Sequence, residues 1–362
     1  MRGPRVRPIV IAAGGTGGHF FPAEALAAAL QARGERVVLM TDARSAANKS
    51  NIFAAGEIHV VPGAGIAGRN WRRAAAGAGA IARGVLVARR ILSRLSPAVV
   101  IGFGGYPAVA PMLAARSLRR RPVLILHDQN AVLGKANRLL ARISDRIALS
   151  FPASPGLPAG TLTGNPVRPA IAARSQAPYL PPGDKINILV LGGSLGAAAF
   201  ATLIPEAIAL LLPALRGRIA LTMQCPSQVI QTARAALAAS NAASNLAPFF
   251  EDVATLMADA HLVIARSGGS TVAELAVIGR PAILIPLRIN DDQRANADAL
   301  ASAGGALRFE QTEGAAALAR KIETLLADPA KLSEMARAAG AMGIADAAEK
   351  LADLVQSAMV MA

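Results

Sequence analysis

Short apolar runs near residues 8–12, 36–40, 98–101 and 122–126 alternate with longer alanine-rich stretches of helical character. Apolar runs this short, bounded by glycine and proline, read as strands buried on both faces, and the stretches between them as covering helices. A basic-polar segment then leads to "TLTGNPVRP" at 161–169, where a proline turn closes the first half. After "APYLPPGD" at 177–184 the pattern restarts. "INILVLGGSLGAAAF" repeats the opening design of "IVIAAGGTGGHFFPAEALAAAL": apolar strand, glycine-rich turn, alanine-rich helix. More strand and helix pairs run through 220–327. Strands separated by helices require crossovers and parallel sheets, so each half is predicted to be a doubly wound α/β domain. The predicted division is a first domain over 1–170, a linker over 171–184 and a second domain over 185–343. A helix over 344–362 either extends the second domain or packs back on the first.

Composition narrows the class. Of the 362 residues, 53% are hydrophobic and only 3% aromatic, so the core must be built from Ala, Leu, Val and Ile. The mean hydropathy of +0.41 calls for a search for membrane spans. The best stretch, residues 97–115, is uncharged but broken by Pro97, Gly102, Gly104, Gly105, Pro107 and Pro111, and reads as strand, glycine turn and helix start. Arg2, Arg5 and Arg7 precede an apolar run that stops at Gly14, too soon for a signal peptide. Cys225 is the single cysteine, which fits a reducing compartment, and no metal-ligand spacing is present. A cytoplasmic protein without a metal is expected.

Charge is unevenly spread. The net charge is +15, yet residues 1–168 hold 23 Lys and Arg against 6 Asp and Glu, whereas residues 169–362 hold 15 against 17. No acidic residue occurs between Glu57 and Asp128. Such a surface is suited to an anionic partner. Residues 70–95 mix Arg72, Arg73, Arg83, Arg89, Arg90 and Arg94 with Trp71, Ile81, Val85, Leu86, Val87, Ile91, Leu92 and Leu95, a basic amphipathic pattern that fits an anionic membrane surface. Nucleic-acid binding is not expected, because Trp71 is the only aromatic there available for base stacking.

The two glycine turns point to phosphate. A strand ending in glycines before a helix offers backbone N–H groups at the positive end of the helix dipole, with no Cβ in the way. A dinucleotide site fits less well: "GGTGGHF" and "GGSLG" both miss the G-x-G-x-x-G spacing, although Asp42 matches the ribose-binding acid of such domains.

Seven segments then fall in order along the chain: "GGTGGHFFPAEALA", "GFGGYP", "HDQNAVLGKANRLLA", "TGNPVRP", "LGGSLGA", "ARSGGSTVAELAVIGRPAILIPL" and "DDQRANADAL". In these the chain resembles the MurG family of peptidoglycan glycosyltransferases. That resemblance implies two Rossmann-like doubly wound domains facing across a cleft, the GT-B arrangement, with no cofactor and no metal. It implies transfer of N-acetylglucosamine from UDP-GlcNAc to undecaprenyl-pyrophosphoryl-MurNAc-pentapeptide (lipid I), giving lipid II, by a peripheral enzyme on the cytoplasmic face of the bacterial inner membrane. Partners would be UDP-GlcNAc, lipid I, the anionic membrane surface, and proteins of cell-wall synthesis or division.

Carried over position by position, the resemblance assigns Thr16, Gly17, Gly18, Asn130 and Arg168 to the donor side of the first domain. Ser194 falls on the diphosphate loop of the second. Gly269, Ser270, Thr271, Val272, Ala273 and Glu274 form its nucleotide-binding stretch. Phe250 is placed to hold uracil through its backbone, Gln293 to read the sugar hydroxyls, and Asn296 on the donor side. Gly104, Gly105, Tyr106 and His127 fall on the acceptor side. Asp128 stands where the family has a glutamate, and "QCPSQ" at 224–228 lacks the usual glycine turn.

The bond being made sets three tasks. The acceptor hydroxyl must lose a proton, the anomeric carbon gains oxocarbenium character, and UDP leaves with growing negative charge; direct displacement inverts the anomeric centre. His19, beside the first glycine turn, suits a general base near neutral pH and equally suits a group that orients the loop. Glu274 can accept from both ribose hydroxyls. Arg266 and the helix start after "GGSLG" can neutralise the leaving group, or Arg266 can be a structural ion-pair partner. Asp128 or His127 remains an alternative base or acceptor orienter. A soluble UDP-sugar enzyme such as a UDP-GlcNAc epimerase, and a binding module without catalysis, are the competing function classes.

Overall fold

A computed structural model describes residues 7–15, 17–46, 51–54, 56–62, 71–152, 159–193, 197–240 and 242–360. The chain divides into two compact units, Met1–Arg168 with Asp346–Ala362, and Pro169–Ala345.

The first unit is built on β1 (Ile9–Ala12), β2 (Val37–Thr41), β3 (Glu57–Val60), β4 (Val99–Gly102), β5 (Val123–Asp128), β6 (Arg146–Leu149) and β7 (Thr161–Leu162). They form one parallel sheet in the order β3-β2-β1-β4-β5-β6-β7. Every residue of β1, β2 and β4 is buried, as parallel strands covered on both faces must be. The edges are short and open to solvent: three of the four β3 residues and both residues of β7 are exposed.

One face of this sheet packs Phe20, Leu26 and Leu30 of the helix Gly17–Ala32 together with Leu351 and Val355 of the helix Ala347–Met359. Polar clamps fix that last helix: Arg33 pairs with Glu349 and, at 2.7 Å, with Asp353, while Arg146 Nη1 donates to Ser357 Oγ at 2.8 Å. The other face packs Leu92, Met112 and Leu140.

The helix Trp71–Leu95 covers that second face, and its packing changes the reading of its apolar residues. Leu92 is fully buried, and Ile81, Val85, Ile91 and Leu95 pack against the same core. The apolar stripe expected to meet a lipid surface is therefore largely the face that holds the helix to its own sheet. Leu86 alone among the large apolar side chains described there is mostly exposed, at 60%, while Arg83, Arg89, Arg90 and Arg94 all face solvent. Residues 97–115 form β4, a glycine turn and the helix Gly105–Arg116; among the described residues no helix is long and apolar enough to cross a membrane.

The second unit repeats the plan with β8 (Ile186–Leu191), β9 (Ile219–Gln224), β10 (Ala243–Ala247), β11 (Leu262–Ala265), β12 (Ala282–Leu284) and β13 (Ala306–Arg308). The strands pair in parallel in the order β10-β9-β8-β11-β12-β13. Residues 169–184, expected to include a linker from 171, belong to this unit, and the short helix Pro169–Ala172 lies against the helix Gly269–Ile278.

Candidate active site

In a doubly wound sheet, ligands bind beyond the carboxyl ends of the strands where the strand order reverses. In the first unit that point lies between β1 and β4. Beyond β4 the chain passes through Gly104 (φ 79°) and Gly105 (φ 66°), left-handed conformations that favour glycine. A Cβ on Gly104 would stand 2.6 Å from Asn137 Oδ1, and one on Gly105 would stand 3.3 Å from His19 Cδ2. The bare backbone thus lets the His19 ring lie against residue 105. Tyr106 follows, 43% exposed.

β1 leads through Gly15 (φ 84°) to Gly17 and Gly18, which open the helix carrying His19. The Gly15 N–H donates to Ser45 Oγ at 2.7 Å and to Asp42 Oδ2 at 3.1 Å. Asp42, which in the sequence resembles a ribose-binding acid, ties down this turn instead. Thr16 lies outside the described residues. The Arg168 guanidinium stacks 5.5 Å above the Phe21 ring.

β5 supplies the polar groups. His19 Nδ1 lies 2.7 Å from Gln129 Oε1, Gln129 Nε2 lies 2.9 Å from His127 Nδ1, and His127 Nε2 lies 3.1 Å from the Gly164 carbonyl oxygen. His127, expected from the sequence on the acceptor side, is fully buried against Phe103. Burial holds its imidazole down to about 4; the Gly164 carbonyl acts in the opposite direction and His19 in the same one. Asp128 is also fully buried, with Oδ1 accepting from the Asn130 N–H at 2.8 Å and Oδ2 accepting from Asn137 Nδ2 at 2.7 Å. Those bonds engage both carboxylate oxygens and brace the loop bearing Asn130. Gln129 is a site residue that the motif reading does not pick out; the signal for it is the period-2 alternation that puts residues 127 and 129 on one face of an extended chain.

In the second unit the corresponding reversal lies between β8 and β11. Ser194 lies outside the described residues. The helix Gly269–Ile278 starts at Gly268 with no side chain capping it, and a Cβ on Gly268 would meet open space, a kind of helix start that suits an anion. Ser270, Thr271 and Ala273 are partly exposed, whereas Val272 and Glu274 are buried, at 1% and 6%. Phe250 is half-buried beside Phe249, which is 65% exposed.

Two expected donor contacts turn out to be internal. Arg266 is 5% exposed, with Nη1 donating to the carbonyls of Ile285 and Pro286 at 3.0 and 3.2 Å and Nη2 to Gln311 Oε1 at 2.8 Å; it also stacks over Phe200. Burial lowers its pKa. Its two terminal nitrogens are thus engaged by interior oxygens, while Nε is buried without a hydrogen-bond partner among the described residues. Asn296 is fully buried and donates to the Ser267 carbonyl at 3.1 Å, while Ser267 Oγ donates to the Gln293 carbonyl at 2.7 Å. Asn296 therefore braces the turn before the nucleotide-binding helix. Gln293 is partly exposed, its Oε1 accepting from the Leu287 N–H at 2.9 Å. Among the described residues no group of His, Cys, Asp and Glu is arranged to hold a metal.

Comparison with known proteins assigns the family. Residues 9–149 match the glycosyltransferase family 28 N-terminal domain, and residues 187–351 match the family 28 C-terminal domain. A relative from Acidiphilium cryptum is 60% identical over 99% of both chains, and one from Granulibacter bethesdensis is 54% identical over 98% of this chain and 94% of that one. Both are named UDP-N-acetylglucosamine--N-acetylmuramyl-(pentapeptide) pyrophosphoryl-undecaprenol N-acetylglucosamine transferase. The crystal structure of Acinetobacter baumannii MurG is 31% identical and superposes with a TM-score of 0.78, covering 96% of this chain and 99% of that one. Two parallel α/β units, two family 28 domains in order and this identity along nearly the whole length have one meaning: the chain is a glycosyltransferase and belongs to the MurG family.

Proposed function

We propose that the chain transfers N-acetylglucosamine from UDP-GlcNAc to the 4-hydroxyl of the MurNAc residue of lipid I, making lipid II with inversion at the anomeric carbon. The observation that carries this reading is the 60% identity over 99% of both chains to a relative named for that transfer. The test is direct: purified protein with labelled UDP-GlcNAc and lipid I yields a lipid-linked disaccharide. Release of free N-acetylmannosamine or UDP-ManNAc instead would replace this reading with the epimerase one.

The second unit binds the donor. The uncapped start of the helix Gly269–Ile278 receives diphosphate oxygens, the backbone at Phe250 holds uracil, Gln293 contacts the sugar, and Glu274 accepts from the ribose hydroxyls. Glu274→Gln is expected to weaken UDP-GlcNAc binding about tenfold to a hundredfold, the worth of roughly 1.5–3 kcal/mol of charge-assisted hydrogen bonding. Calorimetry on the folded variant reads this; unchanged affinity would remove Glu274 from the ribose site.

The first unit carries the chemistry of the acceptor. His19 takes the proton from the acceptor hydroxyl as the sugar transfers. The polyprenyl tail places that acceptor in a bilayer, and the solvent-facing arginines of the helix Trp71–Leu95 are the groups suited to an anionic cytoplasmic leaflet. Each contributes about 1 kcal/mol near such a surface. With Arg83, Arg89, Arg90 and Arg94 changed to Gln, sedimentation with phosphatidylglycerol vesicles should fall sharply and activity on embedded acceptor with it, while activity on a short-chain soluble acceptor is kept. Equal sedimentation of wild type and variant would return these arginines to an ordinary solvated face.

A further inference from the structure

We propose that Gln129 and His127 are positioning residues that fix the ring proton of His19 on Nδ1, so that the lone pair of the neutral imidazole lies on Nε2. This rests on the reading of His19 as the base. The Gly164 carbonyl can only accept, so His127 Nε2, 3.1 Å away, must carry a proton. His127 is fully buried and neutral at working pH, hence its Nδ1 has a lone pair and requires a donor. That donor is Gln129 Nε2 at 2.9 Å, which also reaches the His127 carbonyl at 3.3 Å. An amide has one end of each kind. With Nε2 directed at His127, Oε1 faces His19 Nδ1 at 2.7 Å and can only accept, so the His19 proton sits on Nδ1.

Every orientation therefore follows from one backbone carbonyl. The arrangement also suits a group that must gain a proton and give it up again. Oε1 accepts from Nδ1–H whether the ring is neutral or an imidazolium, so nothing in the chain of bonds rearranges when Nε2 takes a proton. A carboxylate in place of the amide would orient the ring equally well but would favour the charged imidazolium and reduce the supply of free base. The neutral amide orients without that bias. A Cβ on residue 105 would stand 3.3 and 3.4 Å from Cδ2 and Nε2 of the ring, and glycine there avoids that crowding.

Nitrogen-15 spectra of histidine-labelled protein at about pH 8, above the usual imidazole range, read the tautomer without any turnover. The protein has four histidines, and the His19 signals are those lost in His19→Gln. In the wild type His19 should show a pyrrole-type Nδ1 and a pyridine-type Nε2; the opposite assignment overturns the proposal, and this measurement needs no variant at position 129. In Gln129→Met the two signals should move toward each other as the tautomers mix, with kcat falling about tenfold to a hundredfold and UDP affinity unchanged. Unmoved signals in Gln129→Met also overturn the proposal. Moved signals with unchanged kcat overturn instead the reading of His19 as the base and leave the proton placement standing.

Discussion

His19→Gln is expected to lower kcat by about 10² to 10⁴ while leaving UDP affinity nearly intact. The diphosphate, uracil and ribose contacts proposed above lie in the second unit, and His19 lies in the first, so removing the imidazole takes away proton transfer without touching those contacts. Glutamine keeps a polar side chain of comparable length beside Gln129 and lacks any group that can accept a proton at neutral pH, which separates loss of the base from loss of the loop. Steady-state rates on a soluble lipid I analogue, with calorimetric UDP titration of the same preparation, give both quantities. Near-normal turnover would remove His19 as the base. The task would then pass to a group outside this cluster, because Asp128 is fully buried with both carboxylate oxygens engaged and His127 is held down to about 4.

Arg280→Met is expected to destabilise the second unit by about 3–5 kcal/mol, since several buried carbonyls lose their donor at about 1–3 kcal/mol each. Arg280 is 1% exposed. Nε and Nη2 donate to the Ala258 carbonyl at 2.9 and 2.6 Å, Nη1 to the carbonyls of Ile278 and Gly279 at 2.9 and 3.0 Å, and Nη2 to that of Pro178 at 3.2 Å. Ala258 and Ile278 are the last residues of the helices Val253–Ala258 and Gly269–Ile278. One guanidinium thus satisfies carbonyls left over at two helix ends and sits at the negative pole of both dipoles. The Tyr179 ring, 5.6 Å from its centre, completes the enclosure, and burial lowers the arginine pKa without discharging it. Methionine fills much of the volume but leaves those carbonyls without a donor. Differential scanning calorimetry, which resolves the two units if they melt separately, should show the transition of the second unit shifted down; an unshifted transition would mean that solvent or backbone rearrangement replaces the arginine. Because the affected helix starts at the proposed diphosphate site, donor affinity should weaken in parallel.

How far the sequence reaches depends on the range of the interaction involved. The strands were legible because burial on both faces leaves an unbroken apolar run, and the two glycine turns because a backbone that must adopt φ near 80° or admit a close neighbour excludes a Cβ whatever surrounds it. These are local requirements, written within a few residues of where they act, and with the ordered motifs they determined the α/β class and the family. Other assignments needed the fold. The apolar residues of Trp71–Leu95 have the same spacing whether they face a bilayer or a sheet, and only packing shows that Leu92 and its neighbours face the sheet. Arg266, Asp128 and Asn296 are polar residues in the right motifs, but the carbonyls and amides that occupy them come from other segments: Ile285 and Gln311 for Arg266, Asn137 for Asp128, Ser267 for Asn296. The chain of bonds from Gly164 to His19 joins residues up to 110 positions apart. Which nitrogen of His19 bears the proton is therefore a property of tertiary contacts: the sequence supplies an imidazole beside a glycine turn, and the direction of its hydrogen bond is decided by a carbonyl that only folding brings within reach.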